Sequence, residues 1–244
     1  MLSPEQIQLN KEVFQLILMN KIYPECNLSD FCAIDILNYL DETDFYIAPA
    51  SSNYHGNYKG GLCEHSLNVY YNLIAIYNTY NKNTEDYTDK TLTLVSLLHD
   101  ICKVNIYKES FRNKKKLDKE GKEELNKKGL PIWEKVPYYE IDDSYPLGHG
   151  EKSVIILQRY FILTTNEIMA IRWHMGGYDD ITKSYIGNIT ANKAFNNYPL
   201  ITLLHMADLA SIFLKLPDKE EELTIKEKGS VFYETEEDRL KEMF

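Results

Sequence analysis

The sequence predicts an all-α fold in which a β-hairpin-like insertion interrupts a helical bundle. The first supporting observation is helical spacing after residue 61, where one face of a helix carries Leu62, His65, Val69, Leu73 and Ile76. The second is residues 92–102, which are apolar on nearly every side, as expected of a helix enclosed by others. The third is residues 104–147, where the helical pattern stops. There a charged stretch, residues 112–128, lies between flanks rich in β-branched and aromatic residues.

Capping and periodicity signals predict the other elements. Ser3 and Gln6 form a capping-box pattern ahead of an apolar stripe, which predicts a helix near the N-terminus. A second helix is expected at about residues 29–40, and residues 44–61, with three glycines, are expected to form an ordered loop. Further helices are predicted at about residues 149–161, 165–174 and 200–216, with a short helix or tail at 235–243.

Composition and charge limit the classes of function. The 244 residues suffice for one sizeable domain, and we expect a single domain over residues 1–244 with its motif core at about 54–216. A formal net charge of −10 argues against binding to long nucleic acid, but not against a small anionic substrate. The longest apolar runs are too short to cross a bilayer, and residues 1–10 lack the basic start of a signal peptide. We therefore expect a cytoplasmic protein without membrane contact.

The four cysteines show no CxxC spacing. Cys63 and Cys102 lie within apolar helical patterns, which favours buried, reduced thiols over metal ligands. Cys26 and Cys32 carry no further signal.

The order of histidines and aspartates is the most informative feature. Metal sites in helical bundles are built from inward-facing side chains on separate helices, and borderline divalent ions favour imidazole nitrogen together with carboxylate oxygen. An ionised aspartate in a segment as apolar as residues 93–102 is costly unless a cation or strong hydrogen bonds compensate. A single buried histidine is usually a hydrogen-bonded core residue, and a single aspartate can be a helix cap, but six residues in this order favour a metal site. They are His65, His99, Asp100, His149, His174 and Asp208.

Five short motifs carry a resemblance to a known family. In chain order they are Gly-Gly-Leu-Cys-Glu-His-Ser-Leu at 60–67, Leu-Leu-His-Asp-Ile-Cys-Lys at 97–103, Gly-His-Gly at 148–150, Trp-His-Met-Gly at 173–176 and His-Met-Ala-Asp at 205–208. Over about residues 54–212 they resemble the successive motifs of HD-superfamily phosphohydrolases. This resemblance implies an HD-domain helical bundle, with the insertion after the His-Asp motif. It also implies a mono- or dinuclear metal centre: a first metal bound by His65, His99, Asp100 and Asp208, and a second bound by His149 and His174 with Asp100 bridging.

The resemblance also implies an activity. The expected reaction is hydrolysis of a phosphomonoester or phosphodiester by a metal-activated water, with a nucleotide or short oligonucleotide as the small phosphorylated substrate. One or two divalent ions are expected, with Mn, Mg, Fe, Co, Ni and Zn as candidates. An HD-type di-iron oxygenase has the same six ligands and is an alternative, as is a non-catalytic nucleotide-sensing HD module. The oligomeric state is left open.

Further residues are candidates for catalysis or substrate binding, each with a structural alternative. Asp100, Lys103 and His205 are the predicted catalytic residues. Lys103 is also predicted to contact a phosphate, its alternative being a lysine that interacts with a helix dipole. His205 is a general acid or substrate contact, or a core histidine. Arg172 is a second phosphate contact or a surface arginine, and His55 is a substrate contact at the pocket mouth or an exposed loop histidine.

Overall fold

The computed structural model describes residues 1–23, 33–80 and 86–214, and within these ranges the chain is mostly helical. The described α-helices are α1 (Pro4–Ile22), α2 (Ala33–Glu42), α3 (Gly61–Tyr80), α4 (Asp89–Leu98), α5 (His149–Leu157), α6 (Thr165–Trp173), α7 (Tyr185–Asn197) and α8 (Pro199–Phe213). Short 3₁₀ helices lie at Ile101–Lys103, Gly176–Tyr178 and Asp180–Lys183. An antiparallel hairpin of β1 (Tyr107–Lys115) and β2 (Trp133–Ile141) lies between α4 and α5 in the chain. The prediction of a mainly helical fold with one hairpin insertion is confirmed.

Polar caps fix where several helices begin. Ser3 and Gln6 form the predicted capping box of α1, in which the side chain of each accepts a hydrogen bond from the backbone N–H of the other. Thr164 and Glu167 form a second capping box at α6. The Thr88 side chain accepts a backbone N–H from the first turn of α4. The opposite ends of α4 and α6 carry site residues, so these caps also help to hold the site.

Helix α4 lies within the bundle and contacts α1, α3 and α6. Every residue from Leu92 to Leu98 is buried, which confirms an enclosed helix for the first part of the predicted stretch 92–102. The α-helix ends at Leu98, and a 3₁₀ turn follows at Ile101–Lys103. Burying one large apolar side chain stabilises a fold by about 1.5–3 kcal/mol. The core therefore holds the C-terminal end of α4 firmly in place. Its fully buried side chains include Phe14, Leu18, Phe45, Leu73, Leu94 and Leu97.

The hairpin replaces the helical pattern where the sequence predicts it. Tyr107 lies opposite Ile141 and Lys115 opposite Trp133 in an unbroken antiparallel register. Beyond the strands, isolated bridges join Leu117 to Glu123 and Leu125 to Pro131. The charged residues of the tip are largely solvent-exposed, as the sequence indicates.

One helix is absent from the sequence prediction. Helix α7 buries only Gly187, Ala191 and Ala194, whereas most of its large apolar residues, such as Tyr185 and Ile186, are exposed. The apolar stripe from which a helix is predicted is therefore missing. The N-terminal part of the predicted second helix, Cys26, Cys32 and the predicted segment 235–243 lie outside the described residues.

The bundle and the hairpin belong to one compact unit, Met1–Ile212, and a second unit begins at Phe213. Of that second unit the structure describes only Phe213 and Leu214. The single domain over residues 1–244 stays a prediction. Among the described helices, none combines the length and apolarity needed to span a membrane.

Candidate metal centre

The six predicted metal ligands form overlapping groups, and within each group the ligand atoms lie no more than 4.8 Å apart. Two of the six, His65 in α3 and Asp208 in α8, lie inside α-helices. The others lie at helix ends: His99 and His174 are the C-cap residues of α4 and α6, Asp100 precedes the 3₁₀ turn Ile101–Lys103, and His149 is the first residue of α5. The bundle thus brings the ligands together mainly through the ends of its helices, not through their inward faces.

The two oxygens of Asp100 face different histidines. Oδ2 lies 3.5 Å from Nε2 of His65 and 3.5 Å from Nε2 of His99. Oδ1 lies 2.5 Å from Nε2 of His149 and 3.5 Å from Nε2 of His174. A carboxylate placed in this way can bridge two cations, with one oxygen for each.

Hydrogen bonds fix the tautomers of His99 and His174. Nδ1 of His99 lies 2.8 Å from the Ser96 carbonyl, and Nδ1 of His174 lies 2.7 Å from the Ile171 carbonyl. A carbonyl oxygen only accepts, so each Nδ1 carries a proton, and each ring in its neutral, metal-binding form directs the lone pair of Nε2 into the site. The same bonds satisfy carbonyl groups in the last turns of α4 and α6, which lack helical partners.

Ser211 plays the corresponding part for His65. Its hydroxyl donates to the Asp208 carbonyl at 2.7 Å and lies 3.1 Å from Nδ1 of His65. Since the hydroxyl proton is engaged, the oxygen accepts the Nδ1 proton of His65. Nε2 of His65, which lies 3.3 Å from Oδ1 of Asp208, is then free to donate its lone pair to a cation.

The donor set fits a divalent cation. Nε2 of His65, His99 and His174 is buried and has no hydrogen-bond partner within the described parts of the chain. With metal–nitrogen distances of about 2.0–2.1 Å and metal–oxygen distances of about 2.0–2.2 Å, two ligands of a tetrahedral site lie about 3.4 Å apart. Four nitrogen–oxygen separations of 3.3–3.5 Å agree with that spacing. The fifth, 2.5 Å between Nε2 of His149 and Oδ1 of Asp100, is a hydrogen-bond distance that an ion would lengthen. An ion would satisfy the three nitrogens and compensate the buried carboxylates.

The carboxylates are ionised despite their burial. Burial raises the pKa of the Asp100 carboxyl, but the charge of Lys103 and the nearby imidazoles of His99 and His149 lower it well below its usual value. Burial likewise raises the pKa of Asp208, and the nearby imidazoles of His65, His99 and His174 lower it below its usual value. Two negative charges are therefore available in a largely apolar interior.

Lys103 lies beside the predicted ligands. Its ammonium is 2.6 Å from Oδ2 of Asp100, and 13% of its side chain is exposed. Burial lowers the pKa of Lys103, but the charge of Asp100 raises it above its usual value, so the side chain is cationic. The prediction that Lys103 contacts a phosphate stays a prediction, and its position next to the cluster is compatible with it.

Arg172 is paired with protein carboxylates. Its guanidinium lies 2.6 Å from Glu151 and 2.6 Å from Asp179, and 4.0 Å from the centre of the Trp173 ring. These contacts join α5, α6 and the segment after α6. The predicted role of Arg172 in phosphate binding is untested, and the observed role is to brace the elements that carry His149 and His174.

His55 lies at a cavity next to the cluster. Its ring centre is 4.9 Å from that of His65, and the two residues line a cavity of about 250 Å³ together with Tyr58, Glu64, Asn68 and Ser211. Burial and the neighbouring His65 lower the pKa of His55 to about 4, so its ring is neutral at pH 7. The Tyr58 hydroxyl donates to Glu64 at 2.5 Å. The predicted position of His55 at a pocket is compatible with this arrangement, although substrate contact is untested.

His205 touches the cluster through the backbone. Its Nδ1 donates to the His174 carbonyl at 2.6 Å. Gly176 has a positive φ of 53°, and a side chain there would place Cβ 2.8 Å from the His205 ring. His205 therefore packs against the turn that follows α6, and its predicted catalytic role stays a prediction.

Two residues that the sequence prediction does not place in the site lie within it. Ser211 stands three residues after Asp208, one helical turn further along α8, and that spacing is the signal that could have indicated it. Cys102 is buried and free as predicted, but its sulfur lies 3.4 Å from Nδ1 of His149. Its position two residues after Asp100 could have indicated this proximity.

Comparisons of the chain with protein-family models, with curated proteins and with solved structures found no match.

Proposed function

We propose that the protein is a metal-dependent phosphohydrolase of the HD superfamily that cleaves a phosphomonoester or phosphodiester of a nucleotide or short oligonucleotide. The observation that supports this most strongly is Asp100, whose two oxygens face two different pairs of imidazoles. Such an arrangement suits a dinuclear centre, and dinuclear centres are common in phosphoryl chemistry.

The six ligands divide into two sets around Asp100. His65, His99, Asp100 and Asp208 would hold one ion, while Asp100, His149 and His174 would hold the other. Ions bound there would activate a water molecule as the nucleophile and offset negative charge on the phosphoryl oxygens. His149 has the most exposed side chain of the six, at 30%, so water would reach the second ion past this residue.

The charge of the surroundings favours a phosphate substrate. Lys103 is a cation at the edge of the cluster, and it can exchange its contact with Asp100 for one with a phosphate oxygen when cations compensate that carboxylate. This feature favours phosphate hydrolysis over the oxidation of an uncharged substrate.

The cavity beside His65 would hold the organic part of the substrate. Its volume of about 250 Å³ is below the range of roughly 300–1,000 Å³ typical of sites for drug-sized ligands. It therefore suits one base or one sugar better than a whole nucleotide. The rings of His55 and Tyr58 offer surfaces for stacking, and Glu64 and Asn68 offer hydrogen-bonding groups.

The test is an assay of the purified protein against nucleotides and short phosphodiesters with Mn, Mg, Co, Ni or Fe. We expect phosphate or nucleoside monophosphate release that depends on metal and is lost in Asp100→Asn. Asp142→Asn is the matched control, because Asp142 is an exposed hairpin residue that pairs only with Lys108 among the described contacts. Release that persists in Asp100→Asn would reject the site. Bound iron with oxygen uptake and no release would favour the di-iron oxygenase, and nucleotide binding without turnover would favour the sensing module.

A further inference from the structure

Cys102 lies against the residues proposed to hold the second ion. Its sulfur is 3.4 Å from Nδ1 and 3.7 Å from Nε2 of His149. Asp100, Cys102 and His149 form a group whose ligand atoms are all within 4.8 Å of one another. The Ser153 hydroxyl accepts the backbone N–H of Cys102 at 3.3 Å, which anchors the turn that carries the sulfur.

We propose that the sulfur of Cys102 is a ligand of the second metal ion, beside Asp100, His149 and His174. A metal–sulfur distance of about 2.3 Å and a metal–nitrogen distance of about 2.0–2.1 Å place the two atoms about 3.6 Å apart in a tetrahedral site. The observed separation of 3.7 Å between the sulfur and Nε2 matches that value. Ligation also requires the His149 ring to turn, because its Nδ1 now lies 3.4 Å from the sulfur and its Nε2 is hydrogen-bonded to Asp100. The second site then has four protein ligands, as the first site does.

The sulfur would change which metal the second site selects. Thiolate is a soft ligand that favours Zn, Fe or Co, whereas Mg favours oxygen ligands. On binding, the S–H bond breaks, a sulfur–metal bond forms, and the proton leaves to solvent. We therefore expect the second site to bind zinc or cobalt well and magnesium poorly. The first site, with imidazole and carboxylate ligands alone, has a weaker preference against harder ions.

This inference depends on the metal centre of the proposed function, but not on its phosphate substrate. If the sulfur binds the metal but the wild-type protein releases no phosphate, the hydrolase function is rejected and this inference stands. Absence of sulfur ligation in an active, metal-dependent enzyme would reject this inference alone.

Cys63 provides the matched control. It is also a buried, free cysteine, but it lies in α3 and belongs to none of the potential metal-binding groups among the described residues. Replacement of either cysteine by serine removes one buried sulfur at nearly constant volume. Only the Cys102→Ser variant removes a proposed ligand.

The experiment is titration of the metal-free full-length protein with Co²⁺, followed by absorption spectroscopy. We expect a thiolate-to-cobalt charge-transfer band in the near ultraviolet in the wild type and in Cys63→Ser, and no such band in Cys102→Ser. Calorimetric titration measures the same effect on affinity. Cys102→Ser should weaken zinc binding at the second site at least tenfold, which is roughly the loss seen when a residue that supports a metal ligand is removed. Magnesium binding should change less than about twofold. Cobalt binding by the wild type without the band would overturn the proposal, even if Cys102→Ser fails to fold. A band that persists in Cys102→Ser would also overturn it.

Discussion

The hydroxyl of Ser211 gives a direct test of how the first metal site is organised. It accepts the Nδ1 proton of His65 at 3.1 Å and donates to the Asp208 carbonyl at 2.7 Å. Ser211→Ala removes this acceptor, and His65 is almost fully buried, so its Nδ1–H loses its partner. A buried donor without a partner costs about 1–3 kcal/mol. The ring can avoid that cost by moving its proton to Nε2, which removes the lone pair needed for metal binding.

Each 1.4 kcal/mol corresponds to a factor of about ten in affinity, so this cost of about 1–3 kcal/mol predicts metal binding about 5–140-fold weaker at the first site. The assay is calorimetric titration of the metal-free protein with Zn²⁺ or Mn²⁺, with thermal unfolding measured alongside. Ser66→Ala is the control. Ser66 is fully buried and follows His65 in the sequence, and its hydroxyl has no hydrogen-bond partner within the described ranges. It should leave metal affinity unchanged. Wild-type affinity in Ser211→Ala would refute the argument that this hydroxyl orients His65.

Three further predictions concern the second site, acid stability and packing. His149→Ala should remove the weaker of two binding steps in a metal titration and leave the tighter step and the fold intact. Loss of both binding steps would contradict the assignment of His149 to the second site alone. The pKa of Asp208 is lowered in the folded protein, so the stability it contributes is present above its ordinary pKa and is lost as the pH falls. In metal-free protein, the free energy of unfolding of Asp208→Asn should therefore fall less below about pH 5 than that of the wild type. Denaturant titrations that show the same dependence of this free energy on pH for both proteins would contradict the prediction. Gly150→Ala should destabilise the fold by about 1–3 kcal/mol, because its Cβ would lie 2.2 Å from the Arg172 carbonyl oxygen. Gly177→Ala, whose Cβ meets no atom within 4 Å, is the control in thermal unfolding, and equal stabilities would show that α5 and α6 can shift apart.

The sequence predicts those parts of the fold in which a local pattern matches the tertiary role. The capping box of Ser3 and Gln6 and the enclosed residues of α4 are examples, because caps and apolar stripes are local features. Helix α7 is the opposite case. It packs through alanines and a glycine against neighbours that the sequence does not reveal, while Tyr185 and Ile186 face outward.

The sequence predicts which residues form the site better than it predicts how their side chains are arranged. The order of histidines and aspartates indicates which residues gather, because buried charges need compensation. It does not indicate that Oδ1 and Oδ2 of Asp100 face different histidines, since that depends on where α4 ends and the 3₁₀ turn begins. Nor does it show that Arg172 is held by Glu151 and Asp179, which are distant from each other in the chain.

The hydrogen bonds at Nδ1 make the two proposed sites unequal. His65, His99 and His174 each have Nδ1 held by a hydroxyl or a backbone carbonyl, so their Nε2 atoms are oriented before any ion binds. Nδ1 of His149 faces the sulfur of Cys102, and this ring is also the most exposed of the four. Ligands already in position lose little conformational freedom on binding, whereas a less constrained ligand must be ordered by the ion itself. The fold therefore provides most of the organisation of the first site, and the second site depends on the ion, His149 and Cys102 together.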